Sequence, residues 1–381
     1  MAGDNMDISK FDILQYRWLG RDDGYTALEH EVIFRDLCSG CGACETVCPD
    51  DVIEVDEYPK LVGKCSNCGY CLALCPRSFS SNEEAERKLF GEVDEDLLGH
   101  VEVKIATRAV EQEVIEEAQD GGFVTVLLKY LLDNNFVDGA VVSALDKDEP
   151  WKPVPMLITS TEELKNTGGT RYSNSSSLRV LKDAKKRGLK ELALVGVPCQ
   201  IEGLRKIQNY PIEDVELPMV KLTIALFCKG NFLYKGLMKE LVAGKYKIDL
   251  KEMTRIDIKG KNVIVNVGDE EVLIPLKEAH EHLRQGCKVC FDLTSRLSDL
   301  SVGSVGSPKG YSTVIARTKS AAEILDKMEA EKVIEAQALK AEKPGVEMIE
   351  LLQKIKEKDA KKSTRKRIID ALPLPFKNLK F

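Results

Sequence analysis

Eight of the chain's twelve cysteines fall between residues 38 and 75, in two copies of one pattern: Cys38-x-x-Cys41-x-x-Cys44-x-x-x-Cys48-Pro49 and Cys65-x-x-Cys68-x-x-Cys71-x-x-x-Cys75-Pro76. Thiolates at i, i+3 and i+6 on a tight loop converge on three corners of an iron–sulfur cube, and the fourth cysteine, before proline, is left to serve the other cube. The spacing therefore predicts crossed wiring. Cys38, Cys41, Cys44 and Cys75 would surround one 4Fe-4S cluster, and Cys65, Cys68, Cys71 and Cys48 a second.

This is the pattern of two-cluster bacterial ferredoxins, which move single electrons. The competing uses of cysteine fit less well. Structural zinc pairs two Cys-x-x-Cys knuckles across a longer loop, without a third cysteine three residues on and a Cys-Pro ending. Disulfides need an oxidising compartment, whereas Met1 to Lys10 is acidic and polar with no secretory signal pattern, so a reducing cytoplasm is expected.

At 381 residues the chain leaves roughly 300 beyond such a module, enough for a sizeable core. Charged residues make up 31%, and no apolar run approaches the roughly 18–20 residues of a membrane span, so the protein is expected to be soluble, at most peripheral through a partner. Net charge is −7, but residues 351–381 hold ten Lys/Arg against three Asp/Glu, leaving −14 for the rest. The basic tail reads as a solvated helix face with a docking end, and nothing has the interleaved aromatics of a nucleic-acid binder.

The texture divides the chain into a lead-in at 1–30 with Tyr16 and Trp18, a ferredoxin domain at 31–80, a charged linker at 81–100, a main domain at 101–318 and a helical extension with basic tail at 319–381. In the main domain, Val101–Ala106 and Gly139–Ala144 read as strands, Phe123–Leu132 and Leu178–Arg187 as helices. Leu192–Val197 and Leu222–Phe227 are nearly continuous apolar runs, the form of strands buried on both faces. The expected fold is α/β: a mostly parallel sheet flanked by helices, behind an α+β ferredoxin domain. Further on, Ala321, Ile324, Leu325 and Met328, then Met348, Leu351, Leu352 and Ile355, follow helical spacing and predict two amphipathic helices.

Cys199 and Cys228 each follow one of the last two strands, at the edge where open parallel sheets bind ligands. Cys287-x-x-Cys290 supplies two more thiols for a third four-cysteine site, with zinc, a cluster and ordinary buried cysteines all open from spacing. Two glycine segments offer backbone amides to an anion. Gly121-Gly122-Phe123-Val124-Thr125 opens a helix, and Gly168-Gly169-Thr170-Arg171-Tyr172-Ser173-Asn174 adds hydroxyls, a guanidinium and a ring. A strand-linked Gly-x-Gly-x-x-Gly is missing, so a nicotinamide-binding half is not supported. His280 and His282 stand near enough in sequence to flank a metal at Cys287, although exposed positions suit them better. No hydrolytic triad or carboxylate pair is evident, and no catalytic side chain is assigned.

Taken in order, Gly121-Gly122-x-Val124-Thr125, Gly168-Gly169-Thr170-Arg171-Tyr172, Val197-Pro198-Cys199-Gln200, Phe227-Cys228-x-Gly230, Cys287-x-x-Cys290 and Ser301-Val302-Gly303-Ser304-x-Gly306 resemble the beta subunits of coenzyme F420-dependent hydrogenases and dehydrogenases, over about residues 31–318. The ferredoxin module in front resembles most the electron-input subunit of F420H2 dehydrogenase and the amino-terminal half of the F420-dependent sulfite reductase. The resemblance implies FAD, coenzyme F420 as hydride donor or acceptor, and a third 4Fe-4S cluster on Cys199, Cys228, Cys287 and Cys290. It makes the two glycine segments, Ser304 and Gly306 flavin contacts; by their charge Arg171 and Lys229 suit a flavin phosphate or reduced-flavin charge, with a plain surface role the equal alternative for Lys229. It implies a redox partner protein or larger complex as the other end of the path. A formate dehydrogenase or hydrogenase beta subunit, an FAD/iron–sulfur reductase of another organic substrate and a non-catalytic electron-transfer subunit are the competing expectations.

Overall fold

The computed structural model describes residues 24–78, 82–165, 167–212, 215–340 and 345–371; Tyr16, Trp18 and residues 372–381 lie outside them. The double cysteine repeat folds as two copies of one short unit. α1 (Gly24–Leu28) leads through a wide turn to α2 (Ala43–Thr46), β1 (Ile53–Val55), β2 (Pro59–Leu61) and α3 (Tyr70–Ala73). Gly42 (φ 88°) and Gly69 (φ 78°) each follow the second cysteine of a copy and start its helix in the left-handed conformation. Glycine enters that region without steric cost, and the turn wraps three cysteines round one point.

The charged stretch expected as a linker contains a docked helix, α4 (Asn82–Phe90). Glu86 is buried on it and grips Arg296 with both oxygens, Nε to Oε1 at 2.7 Å and Nη2 to Oε2 at 3.2 Å. A carboxylate can be buried when paired in this way.

The α/β part follows as β3 (Val103–Ala109), α5 (Gln112–Glu117), α6 (Phe123–Asp133), β4 (Gly139–Leu145), β5 (Pro153–Ile158), α7 (Val180–Lys186), β6 (Glu191–Gly196), α8 (Pro198–Asn209) and β7 (Met219–Leu226). An insertion carries the helix Lys235–Lys245, the antiparallel strands β8 (Met253–Lys259), β9 (Asn262–Val267) and β10 (Glu270–Pro275), and α9 (Leu276–Ala279). The chain returns through β11 (Leu300–Gly303), β12 (Ser312–Ala316), α10 (Lys319–Ala330), β13 (Ile334–Ala338) and α11 (Val346–Ala371).

The main sheet has the order β13-β3-β12-β11-β7-β6-β4-β5. It is mixed, not mostly parallel: β11, β7, β6 and β4 run parallel through the centre, and the flanking strands join antiparallel. The cause is the connections. α8 crosses over to deliver β7 parallel to β6, whereas β4–β5 and β11–β12 are joined by short loops, which give antiparallel pairs.

α6 and α10 cover one face, with Phe123, Leu127, Leu131, Ala321, Ile324 and Met328 packed in one core against Leu222 and Val314. α7 and α8 cover the other through Leu181, Ile201 and Leu204, and that core also contains Cys41, Ala43, Val47 and Leu74 of the cysteine module. The module is thus built into a layer of the main domain. Among the described residues no helix is long and apolar enough to cross a membrane.

Because Leu74 is fully buried in this shared core, Leu74→Ala is expected to cost about 2–5 kcal/mol. It should lower one common unfolding transition in anaerobic calorimetry. Two separate transitions, with only the smaller one moved, would show that the module folds independently.

Candidate functional site

The thiols gather in three groups. Cys38, Cys41 and Cys44 come from the loop into α2 and Cys75 from the end of α3, and a cavity opens among these four, walled by Leu28, Val32 and Pro59. Cys71 on α3 interacts with Cys68, Cys65 and Cys48. The fourth cysteine of each repeat therefore stands with the other repeat's three. Cys199 lies in the first turn of α8 after β6, and Cys228 follows β7; both meet Cys287, and Cys228 also meets Cys290. Cys199 interacts with Cys41, Cys38 with Cys287, and Cys44 with Cys71, so the Cys38 group stands between the other two.

Burial pushes the thiol of Cys41 up to about 11 and those of Cys75 and Cys228 up to about 12. Such sulfurs ionise when a positive charge or metal replaces the lost water. Among the described residues no three His, Cys, Asp or Glu side chains stand closely enough to grip a single ion.

Buried cations face these sulfurs. Lys206 donates to the Cys75 carbonyl at 2.8 Å and Ser78 Oγ at 2.9 Å, and burial draws its pKa down to about 8. Arg284 lies over Gly40 and the Tyr58 ring, donates to the Glu57 carbonyl at 2.5 Å and favours ionisation of Cys38. Arg77 pairs with Glu202 at 3.5 Å and acts on thiols of two groups, Cys290 and Cys199 on one side and Cys38 on the other; its buried Nε has no hydrogen-bond partner. Lys356 of α11 donates to the carbonyls of Cys228 and Asp292. Arg317 gives the contrast. Buried away from the thiols on carbonyls and hydroxyls, it is pulled down to about 10 by burial. Burial acts on Lys356 in the same sense, but Cys290 and Cys228 lift it above its ordinary value. These surroundings fit a buried anionic group held by the sulfurs.

The glycine segments meet each other. Gly121 sits where a Cβ would come within 2.6 Å of the Thr107 carbonyl and 2.7 Å of the Ser312 amide, so only glycine lets the chain pass between β3 and β12. Gly122 (φ 69°) caps α6 and leaves the first-turn amides of Phe123, Val124 and Thr125 at the helix start, although the Phe123 ring itself is core. Gln119 accepts from the Thr170 amide at 2.7 Å and joins the second segment. Arg171 folds back on the carbonyls of Gly168 (2.5 Å) and Gly169 (2.7 Å), and burial lowers its pKa. The Tyr172 hydroxyl accepts from the Ile258 amide at 3.0 Å, and burial pushes it up to about 12.

The rest of that segment leaves for the cysteines. Ser173 bridges to Phe232, and the Asn174 amide donates to the carbonyls of Ser39 (3.0 Å) and Gly40 (2.8 Å) beside Cys38. The third segment packs against α11. The Ser304 carbonyl accepts from Ser307 Oγ at 3.2 Å, and Gly306 (φ 100°) admits Ile349 of α11, whose Cδ1 would lie 2.9 Å from a Cβ. Lys229 is exposed and acts on His280, which is stacked against Phe232, while His282 pairs with Glu240 at 3.6 Å.

Four residues of the site were assigned no role from the sequence. Gln200 accepts from the Val197 amide at 2.9 Å and donates to the Ser175 carbonyl at 2.5 Å and Asn174 Oδ1 at 3.2 Å, knotting the α8 turn to the Asn174 segment. Lys206 had a readable signal: Cys199, Gly203 and Lys206 fall at i, i+4 and i+7, on one face of α8. Arg284 and Lys356 had none, since their partners are carbonyls brought by tertiary folding.

In the family of coenzyme F420 hydrogenase/dehydrogenase beta subunits, the amino-terminal part matches residues 105–182 and the carboxy-terminal part residues 189–342, while a 4Fe-4S binding domain matches residues 31–54. The coenzyme F420 hydrogenase subunit beta of Methanothermobacter thermautotrophicus is 36% identical over 282 residues, 74% of this chain and 100% of that protein. A component of the F420H2 dehydrogenase of Methanosarcina mazei is 30% identical over 346 residues, 86% of this chain and 91% of that one. The coenzyme F420-dependent sulfite reductase of Methanocaldococcus jannaschii is 35% identical over 354 residues, but the match covers 52% of it, so this chain spans about half that relative's length. Among solved structures, a chain of the F420-reducing NiFe hydrogenase complex from Methanosarcina barkeri superposes with a TM-score of 0.68 at 35% identity, covering 72% of this chain and 94% of that one. The chain belongs to the family of coenzyme F420 hydrogenase/dehydrogenase beta subunits, with a 4Fe-4S domain ahead of the family's own two parts.

Proposed function

We propose that this protein is an F420-dependent iron–sulfur flavoprotein, an F420H2 dehydrogenase that passes electrons between reduced coenzyme F420 and a partner protein. FAD would lie at the α6 start and the Thr167–Tyr172 segment. Three 4Fe-4S clusters would be held by Cys199/Cys228/Cys287/Cys290, by Cys38/Cys41/Cys44/Cys75 and by Cys48/Cys65/Cys68/Cys71. The observation that carries this reading is the chain of three adjacent thiol groups, each sulfur set too open for one ion, with Arg77, Lys206, Arg284 and Lys356 buried against them.

When bound, the flavin and the clusters supply the conversion between a hydride pair and single electrons. The chain's own part is position and charge. The first-turn amides of α6 and the Arg171 guanidinium suit a phosphate, and an anion there would offset the cost of burying Arg171. Gln200 and Asn174 hold the Cys38 loop rigidly to the segment that leaves the flavin side, which keeps the separation of neighbouring groups constant. Ser66 and Asn67 are exposed in the loop between Cys65 and Cys68, so the partner protein would dock at the third link of the chain.

Protein purified without oxygen is expected to hold about 12 iron atoms and one FAD. A count near 8 with stoichiometric zinc would remove the cluster at Cys199. Mixing with reduced F420 should bleach the flavin in a stopped-flow experiment; flavin that responds to reduced ferredoxin but not to F420 would replace the donor.

Cluster assembly should also depend on pH. Burial raises the folded-state pKa of Cys41 to about 11 and those of Cys75 and Cys228 to about 12, so these three metal-free thiols stay protonated below that range and iron must displace their protons. Reconstitution of iron-free protein is therefore expected to release protons and to give less bound iron at pH 6 than at pH 8.5. Equal loading across that range would contradict the buried-thiol state.

A further inference from the structure

The family match ends at residue 342, before α11 begins. The helix does not bury the apolar stripe its spacing predicts. Leu351 is 40% exposed, and among the described residues of α11 the buried positions are Ile349, Gln353, Lys356 and Ala360, two of them polar. Gln353 donates to the Phe291 carbonyl at 2.7 Å and accepts from the Leu293 amide at 2.9 Å, which pins the chain just after Cys290. Lys356 donates to the carbonyls of Cys228 and Asp292, the latter at 2.6 Å. The Asp292 carboxylate is engaged with the amides of Ser295 (2.6 Å) and Arg296 (3.0 Å). Further along, Arg367 donates to the carbonyls of Asp36 (2.9 Å) and Gln285 (2.8 Å), tying the helix to both the cysteine module and the Cys287 loop.

An ammonium sealed from water with neutral acceptors is costly unless an anion lies beside it. Cys290 and Cys228 act most strongly on it here, ahead of the Asp292 carboxylate and Cys287. We propose that Lys356 is a positioning residue that sets the reduction potential of the cluster on Cys199, Cys228, Cys287 and Cys290: its charge, brought in by α11, stabilises the one-electron-reduced cluster and favours electron arrival at that group. The inference rests on the reading above that this group holds a cluster. Its added electron comes from the flavin side and no proton moves. Because the thiols that act most on Lys356 all belong to this group, the other two clusters serve as references within the same molecule.

The test is a spectroelectrochemical titration, followed by EPR, of the full-length anaerobic protein and of its Lys356→Gln and Lys356→Arg variants. Lys356→Gln is expected to keep about 12 iron atoms and to make reduction of one cluster about tenfold less favourable, a fall of about 59 mV for one electron. Lys356→Arg should restore most of the shift, and the other two potentials should stay in place. Loss of four irons in Lys356→Gln with retention in Lys356→Arg would equally show that the charge is required. Unchanged potentials in a fully loaded Lys356→Gln protein would overturn the inference, as would loss of the cluster in both variants, which would mark plain packing. A wild-type protein with only about 8 iron atoms would overturn the cluster assignment itself, a result distinct from a full count with a flat titration.

Discussion

Cations buried against sulfur mark where the separate elements of this molecule meet. Lys206, Arg284, Arg77 and Lys356 are delivered by α8, by the loop before Cys287, by the turn after Cys75 and by α11. A lone ammonium or guanidinium out of water is strongly unfavourable, and opposite charge nearby is the usual remedy. Each of the four elements docks where thiols converge, with a different balance at each: Cys290 and Cys228 lift Lys356, whereas burial outweighs Cys75 at Lys206. Lys356 and Arg317 show the difference in one protein: both are buried, and only the one beside thiols holds its proton more tightly than usual.

That convergence explains why the cysteine module is not a separate bead. Cys41, Ala43, Val47 and Leu74 lie in the same apolar core as Leu178, Ile201 and Leu204. Gly203 is the seam. A Cβ there would stand 3.1 Å from Leu178, 3.3 Å from Ala43 and 3.6 Å from Cys41 Sγ, so a small residue lets α8 pass close to the module. Above the apolar contact, Gln200 and Asn174 form a polar web that reaches the Ser39 and Gly40 carbonyls. Apolar burial supplies the attraction and the hydrogen bonds fix the register.

The legible parts of the chain were those with local periodicity. The strands at Glu191–Gly196 and Met219–Leu226 and the helix at Phe123–Asp133 lie where apolar runs and glycine caps put them. The stripe of Ala321, Ile324, Leu325 and Met328 is buried as its spacing requires. Where tertiary charge decides, periodicity misleads. The charged stretch at 82–90 reads as linker because its composition is polar, yet Glu86 turns inward to Arg296. α11 was legible as a helix but not in its orientation, since Gln353 and Lys356 turn to carbonyls far away in sequence. The sheet looked parallel because its central strands are; hairpin connections at its flanks leave no trace in an apolar run.

What the sequence determined by itself is the grouping of the cysteines, because spacing within one loop is local: Cys38 to Cys75 carry their crossed grouping in their intervals, and Cys199 and Cys228 are marked by the strands they follow. Only the tertiary structure decided which surroundings those sulfurs meet. Asn174 goes to the Cys38 loop, Gly306 to Ile349 of α11, Lys229 to the surface and Lys356 to the Cys228 site. Each of these outcomes depends on which distant backbone carbonyl or side chain is brought alongside, and that follows from how helices and sheet pack as a whole.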